Sequence, residues 1–220
     1  MIEPKLRALL DRLHAQSEAQ DPALGTYFRK RFEAGDFNRF EFDDDANQFL
    51  ADKFVALERD KAEFCYLMCR SLGARRVVEA GTSFGVSTLY LAAAVRDNGG
   101  GVVIGTEYEP KKAAAARALF EEAGLSDMIE LREGDLRETL RDPGGKVDFM
   151  LVDIWIAMAH PALERVAPFL RPGAAVVCDN TGQFAEAYAD YFAFIRDPAN
   201  RFATQTLPFQ GGLELSVKLG

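Results

Sequence analysis

The sequence predicts an α/β protein built on a doubly wound, seven-stranded mixed sheet. After residue 75, short β-branched runs alternate regularly with helical segments, a pattern typical of βαβ units with right-handed crossovers and a parallel sheet. Near the end of the chain, two extended runs are separated only by Gln210-Gly211-Gly212. Because so short a link permits only antiparallel pairing, the sheet is predicted to finish in a C-terminal antiparallel hairpin.

Residues 1–60 are predicted to form a helical N-terminal extension, either a cap or a dimerisation element. Its first helix is indicated by Leu6, Leu9, Leu10 and Leu13, which follow the i, i+3, i+4, i+7 spacing of an amphipathic helix. The stretch 25–47 is less regular and rich in phenylalanine, with aromatics at Phe28, Phe32, Phe37, Phe40 and Phe42. Its acidic run 43–45 is interpreted as a solvated face or a helix start rather than a cation site.

The main domain is predicted to span residues 61–220, after a helical pattern over 52–72 that stops at Gly73. Strands are expected over residues 76–80, 101–106, 128–132, 147–153, 174–179, 202–209 and 213–219. Helices are expected between them over residues 86–95, 110–123, 136–141, 161–170 and 184–195. Five parallel strands and a final hairpin account for the seven-stranded sheet.

Composition narrows the function classes. The chain has 220 residues, 26 basic and 34 acidic side chains, a net charge of −8 and 48% hydrophobic residues. That length suits one generous domain with an extension, and the apolar content excludes wholesale disorder. The negative charge argues against a nucleic-acid binder and against docking on an anionic membrane. Small-molecule chemistry is the class that remains.

The cysteines and the N-terminus indicate a reduced, cytoplasmic chain. Cys65, Cys69 and Cys178 form an odd set without a disulfide framework, and the first two lie four apart in an apolar helical pattern that favours packing. Charges interrupt the N-terminus from its third residue, so it does not resemble a signal peptide. No apolar run has the length of a membrane span.

Acidic residues follow the first two strands of the predicted sheet, where a doubly wound sheet binds its ligands. The first strand leads into Glu79-Ala-Gly81-Thr-Ser-Phe-Gly85, which allows a tight turn and close approach to bare backbone. This is not the dinucleotide fingerprint, since a carboxylate before the first glycine would repel a pyrophosphate but attract a cationic ligand. Glu107, at the end of the second strand, is placed to bind both hydroxyls of a ribose.

At these residues the chain resembles the class I S-adenosylmethionine-dependent methyltransferases, specifically the catechol O-methyltransferase-like branch. The resemblance runs from about residue 61 to 220 and rests on six motifs in order. These motifs are E-x-G-x-x-x-G, Gly-Thr-Glu-Tyr-Glu-Pro, Arg-Glu-Gly-Asp, Val-Asp-Ile-Trp, Leu-Arg-Pro-Gly and Val-Cys-Asp-Asn. The resemblance implies S-adenosylmethionine as the cofactor and O-methylation of a small molecule.

It also implies a set of cofactor-binding positions: Glu79, Gly81, Ser83, Gly85, Ser87, Glu107, Tyr108, Asp135, Asp153 and Trp155. In the family, the positions of Glu79 and Gly81 contact the methionine part of the cofactor, and that of Glu107 binds the ribose. Tyr108 matches a position beside the adenine, and Asp135 lies near the family's adenine contact with a different residue type.

The family's metal triad falls on Asp153, Asp179 and Asn180, at the ends of the fourth and fifth strands. Such oxygen ligands suit Mg²⁺, and a bound ion would lower the pKa of an acceptor hydroxyl. The alternative is that Asp153 orients the amine of the cofactor while Asp179 and Asn180 cap the next helix. Both readings stay open.

The residue types also depart from the family. Catechol O-methyltransferase has a lysine as general base three residues after its first metal aspartate, and this chain has Ile156 there. His160, just before the helix expected at Pro161, could relay a proton instead, although a surface or capping role is the alternative. An acceptor that is already ionised would need mainly in-line positioning.

Other functions stay open beside O-methylation. Loss of the lysine is compatible with a protein that binds the cofactor without catalysis. A nicotinamide-dependent oxidoreductase is disfavoured by Glu79 and by the missing third glycine, and a nucleic-acid methyltransferase is disfavoured by charge. A homodimer is possible through the aromatic extension.

Overall fold

The structure, a computed structural model, describes residues 2–35 and 44–220. Three of the aromatic residues of the 25–47 stretch (Phe37, Phe40 and Phe42) lie outside the described residues, as does Asp43 of the acidic run. Within the described ranges, no helix combines the length and apolar character needed to cross a bilayer.

The sheet has the predicted topology. Its strands are β1 (Arg76–Ala80), β2 (Val102–Glu107), β3 (Ile129–Glu133), β4 (Val147–Val152), β5 (Leu170–Asp179), β6 (Phe202–Leu207) and β7 (Leu213–Lys218). Their order is β3-β2-β1-β4-β5-β7-β6, with the first five parallel and β7 antiparallel to both of its neighbours. The order reverses between β1 and β4, so a ligand crevice is expected at their carboxyl ends.

Helices cover both faces of the sheet. They are α1 (Pro4–Glu18), α2 (Asp21–Ala34), α3 (Asp44–Leu50), α4 (Arg59–Ser71), α5 (Val86–Asp97), α6 (Pro110–Ala123), α7 (Leu136–Thr139), α8 (Ile156–Val166) and α9 (Ala189–Arg196). One buried cluster combines α1, α4 and α5 with the sheet, and the other combines α7, α8 and α9 with the opposite face.

The first helix packs within its own chain. Its leucines belong to the same buried cluster as Val77 of β1, and Leu10 is fully buried. His14 Nε2 and the Tyr90 hydroxyl of α5 lie 3.1 Å apart in a buried hydrogen bond. Because this apolar stripe is already covered, α1 does not offer it to a second copy of the chain. The cap and dimerisation roles of residues 1–60 stay predictions.

Three helix starts differ from those predicted, and one of these is helix α9, which begins at Ala189 rather than at residue 184. Helix α4 begins at Arg59, so residues 52–58 are not helical. Helix α8 begins at Ile156 and contains Pro161, where the sequence predicted its start. Because the helical spacing of Ala159, Ala162, Leu163 and Val166 continues on both sides of the proline and all four are buried, apolar burial offsets the one backbone hydrogen bond that proline removes.

Candidate active site at the carboxyl ends of β1, β2, β4 and β5

The turn after β1 depends on glycine. Gly81 has φ +97°, and a Cβ there would collide with the backbone carbonyl of Asp153 and lie 3.2 Å from the Ile154 Cβ. Gly85 has φ +84°, and a Cβ there would lie 2.8 Å from the Phe120 ring. Both conformations are rarely adopted by other residues. The glycines therefore let the turn lie directly against the end of β4, where Asp153 is held.

Glu79 is a buried acceptor at the centre of this turn. Its Oε1 accepts a hydrogen bond from the Ser87 hydroxyl at 2.7 Å, and its Oε2 accepts from Thr82 at 3.0 Å and from Thr88. Burial raises the pKa of the fully buried carboxyl, while the three hydroxyls oppose that shift. Glu79 thus ties β1 to the first turn of α5. Its direct contact with the methionine part of a cofactor stays a prediction, since here the side chain exposes no surface.

Glu107 joins the ends of β1 and β2. Its Oε2 accepts the Ser83 N–H at 2.7 Å and its Oε1 accepts the Glu109 N–H at 2.8 Å. Ser83 has φ +49°, and its buried hydroxyl has no hydrogen-bond partner among the described residues. Tyr108, the neighbour of Glu107, is 77% exposed. Two adjacent turns therefore carry three groups: the half-buried carboxylate of Glu107, the buried hydroxyl of Ser83, to which no described residue forms a hydrogen bond, and the exposed ring of Tyr108.

Asp135 and Trp155 border the same edge of the sheet. Asp135 caps α7 by accepting the Arg137 N–H at 2.9 Å, and both of its oxygens are bonded by the Arg137 side chain, which lowers the pKa of Asp135. Trp155 precedes α8 and is 38% exposed. Their contacts with a cofactor stay predictions, and at Asp135 such a contact has to share oxygens with an arginine.

The extension covers part of this edge. Phe54, in the non-helical segment before α4, stacks on Phe84 of the β1 turn with ring centroids 4.7 Å apart. Lys112 lies on α6, and its ammonium is 5.7 Å from the centroid of the Phe84 ring. Phe54 is buried and its N–H donates to the Gln20 side chain at 2.9 Å. Residues from the extension and from α6 therefore contact the ring that follows Ser83.

Asp153 and Asp179 lie at the ends of adjacent strands, as predicted. The Asp153 N–H donates to the carbonyl of Ala80 at 3.0 Å, which fixes the backbone beside the glycine turn. Burial raises the pKa of the Asp153 carboxyl well above its usual value, and the nearby charges of Asp179 and Glu79 raise it further. Burial likewise raises the pKa of Asp179 to about 6, against the opposing effect of Lys61. Asp153 and Asp179 therefore form a poorly solvated pair of acids, called the acid rim below, at the carboxyl ends of β4 and β5.

Lys61 is the residue of this rim that sequence reasoning missed. Its fully buried ammonium donates to Asp179 Oδ1 at 2.6 Å and to Glu58 Oε2 at 2.8 Å. A signal was present in the sequence, because Lys61 precedes Cys65 and Cys69 at spacings of four and eight. That spacing places it on the buried face of α4.

The arrangement does not fit a divalent ion on Asp153, Asp179 and Asn180. Asp179 Oδ1 takes the Lys61 ammonium, and Asp179 Oδ2 accepts the Asn180 side-chain N–H at 2.8 Å. The nitrogen of the Asn180 amide is thus directed at Asp179, whereas an ion held between the two residues would need the amide oxygen there instead. Across residues 2–35 and 44–220, no group of three or more His, Cys, Asp or Glu side chains is arranged to hold a metal.

His160 does not lie on a loop. It belongs to the second turn of α8, and its ring centroid is 5.4 Å from that of Phe194 on α9. The expectation that it directly precedes a helix was wrong, because α8 starts at Ile156. Its role in proton transfer stays a prediction, and its contact with Phe194 gives that role no support.

A cavity of about 410 Å³ lies beyond the end of β5. It is mostly apolar and is lined by Thr181, Gly182, Ala185, Ala189, Phe192, Ala193, Arg196 and Thr206. Neither Glu79, Glu107 nor Asp153 contributes to its wall. The cavity therefore flanks the acid rim without including the residues expected to hold a cofactor.

Comparisons with known proteins match this chain to methyltransferases. Residues 78–181 match a family model described as a methyltransferase domain. A catechol O-methyltransferase of Mycobacterium tuberculosis is 32% identical over 127 residues, covering 57% of each chain. One of Niastella koreensis is 28% identical over 130 residues, covering 57% of this chain and 58% of its own.

The chain thus spans a little over half the length of these two curated relatives. Among solved structures, an S-adenosylhomocysteine-bound methyltransferase of Podospora anserina superposes with a TM-score of 0.68 at 21% identity. That superposition covers 92% of this chain and 97% of the other, and it shows a shared fold.

Proposed function

We propose that this chain is a class I S-adenosylmethionine-dependent methyltransferase of the catechol O-methyltransferase-like branch, in line with its matches to a methyltransferase domain model and to two catechol O-methyltransferases, and that it methylates an oxygen of a small molecule. The observation that carries the proposal is the juxtaposition of Glu107, Ser83 and the glycine turn with Asp153. The ends of β2 and β4 thereby present one carboxylate each, Glu107 and Asp153, beside the glycine turn that follows β1.

The residues present fit the proposed cofactor. Each Glu107 oxygen accepts one backbone N–H and keeps a lone pair for a ribose hydroxyl. The unsatisfied Ser83 hydroxyl is available for a polar atom of the ligand, and Tyr108 can stack on the adenine. When bound, S-adenosylmethionine supplies a methyl group on a positively charged sulfur.

The acid rim also suits this ligand, provided that its negative charge acts on the amino-acid end of the cofactor. Asp153 is partly exposed, so it is the carboxylate that we assign to the cofactor ammonium, while buried Glu79 holds the turn. A carboxylate beside the sulfonium itself would stabilise the ground state, because that positive charge is lost in the transition state. Placing Asp153 at the ammonium avoids this penalty.

The acceptor is proposed to be an acidic oxygen compound. Ile156 cannot take a proton, and His160 packs against Phe194. A phenol, enol or carboxylic acid that is ionised before transfer needs positioning rather than a strong base. Of these, a carboxylate or an enolate places the least demand on the chain's own residues.

The test is transfer of radiolabelled methyl groups to a panel of catechols, phenols, enols and carboxylic acids. We expect transfer to at least one class, strong loss in Asp153→Ala, and near-normal transfer in Glu138→Ala, which removes an exposed acid of α7. A folded protein that transfers label to none of these compounds would refute the proposal.

One observation favours a second candidate, a protein that binds the cofactor without catalysis. The family's lysine position is Ile156, and His160, the base expected to replace that lysine, packs against Phe194. Under this alternative, S-adenosylhomocysteine binds with normal affinity while the acceptor panel stays unlabelled.

A further inference from the structure

The deepest cation of the active-site rim is a side chain of the protein. Lys61 is fully buried and donates to Asp179, itself only 4% exposed, and to Glu58. The charge of Lys61 also acts on Asp153. Two carboxylates therefore bond this ammonium, and its charge lowers the pKa of a third, that of Asp153.

The position of this lysine is unfavourable for an unpaired charge, so the burial of its ammonium depends on the carboxylates that bond it. Lys61 is the third residue of α4, where the helix dipole disfavours positive charge. Burying an ammonium is unfavourable unless it is paired and hydrogen-bonded. The carboxylates of Asp179 and Glu58 meet both requirements, at 2.6 and 2.8 Å.

The same contacts use the groups that a divalent ion would need. Lys61 Nζ bonds Asp179 Oδ1, and the Asn180 amide bonds Asp179 Oδ2. A divalent ion on these atoms would have to displace an ammonium and turn an amide. It would also meet the repulsion of a positive charge in a poorly solvated place.

We propose that the Lys61 ammonium is the resident cation of the Asp153–Asp179 rim, and that this chain takes no divalent ion there. Lys61 is a positioning residue, because it is buried and acts on ligands through Asp179. The consequence for catalysis, methyl transfer that needs no metal, rests on the proposed function. The occupancy of the rim itself does not.

The test is titration with Mn²⁺ after exhaustive chelation, followed by electron paramagnetic resonance of free Mn²⁺. We expect no saturable site in the wild type. Lys61→Ala should gain one site per chain, at least about tenfold tighter than any residual wild-type binding, because it frees Asp179, Glu58 and space between them. Lys61→Arg keeps the charge and should gain none, and adding Asp179→Asn to Lys61→Ala should abolish the gained site.

Two outcomes would overturn the proposal. One is a single saturable Mn²⁺ site in the wild type that Asp179→Asn removes. The other is a folded Lys61→Ala protein, verified by circular dichroism, that gains no Mn²⁺ affinity. If Lys61→Ala does not fold, the wild-type and Lys61→Arg titrations still decide. Binding of S-adenosylhomocysteine, measured on the same samples, tests the proposed function separately.

Discussion

Gly81 in the turn after β1 should not tolerate a side chain, because a Cβ there would collide with neighbouring backbone. A matched variant at Gly99 separates this collision from backbone strain. Gly81 and Gly99 share the left-handed region, with φ +97° and +92°. A Cβ at Gly81 meets the carbonyl of Asp153, with the carbonyl carbon at 2.9 Å, whereas a Cβ at Gly99 meets no atom within 4 Å. The two alanine variants therefore differ mainly in the collision.

The expected magnitudes follow from these contacts. Each alanine adopts a strained backbone conformation at about 1–3 kcal/mol. Gly81→Ala also forces the turn away from β4, and overpacking of that kind costs about 1–3 kcal/mol more. Because this collision separates the turn from Asp153, Gly81→Ala should in addition lose affinity for S-adenosylhomocysteine, and Gly99→Ala should retain it.

Urea unfolding followed by the fluorescence of the single tryptophan, Trp155, measures both variants. Isothermal calorimetry with S-adenosylhomocysteine measures the ligand effect. The reasoning would be refuted by equal destabilisation of the two variants, or by a Gly81→Ala protein that binds the ligand as the wild type does.

Two further predictions concern carboxylates that accept several hydrogen bonds. Thr88→Val should destabilise the fold by about 1.5–3 kcal/mol, because it removes a donor to the Glu79 carboxylate. The control Thr139→Val removes the hydrogen bond between the Thr139 and Thr106 hydroxyls and should cost about 0.5–1.5 kcal/mol. Equal costs in urea unfolding would contradict a charged acceptor at Glu79. Asp148 accepts N–H groups from Arg75 and Arg76, and with its ion pair to Arg171 at 2.6 Å they hold its pKa below the usual value despite burial. A depressed folded pKa gives stability that is present above the unfolded pKa of about 3.9 and is lost as pH falls through the folded value. The cost of Asp148→Asn should therefore be constant near neutral pH and shrink in acid, and a cost that grows on acidification would show the opposite sign.

The sheet was predictable because its signals are local. Each parallel strand is a short apolar run closed by a turn, and the Gly211-Gly212 link allowed only an antiparallel pair, as observed. The limits of the elements were less predictable. Strand β5 starts at Leu170 rather than 174, because Pro172-Gly173 resembles a turn in sequence, while pairing of Leu170 with Val147 extends the strand.

The strand-end acids were found for the same reason, since each lies at the end of a recognisable strand or directly after it; they are Glu79, Glu107, Asp153 and Asp179. Their partners were not predictable. The three hydroxyls on Glu79 come from the turn and from α5, and sequence spacing does not show which way they point.

Lys61 illustrates the larger difficulty. It lies 118 positions before Asp179, and a lysine in a helix is usually exposed. Its spacing from Cys65 and Cys69 places it on the buried face of α4, but only the packing of α4 on the sheet shows that its ammonium meets Asp179. A chain pattern can predict which acids reach an edge, but it cannot say which distant cation neutralises them.

Calorimetric titration with S-adenosylhomocysteine, which keeps the amino-acid and ribose parts of S-adenosylmethionine, tests most directly whether the ends of β2 and β4 bind this cofactor. The account predicts one site per chain in the wild type and in Glu138→Gln. Affinity should be about ten- to a hundredfold weaker in Glu107→Gln, which removes the charge offered to the ribose. Absence of heat with the folded wild type, or equal affinity in Glu107→Gln, would contradict it.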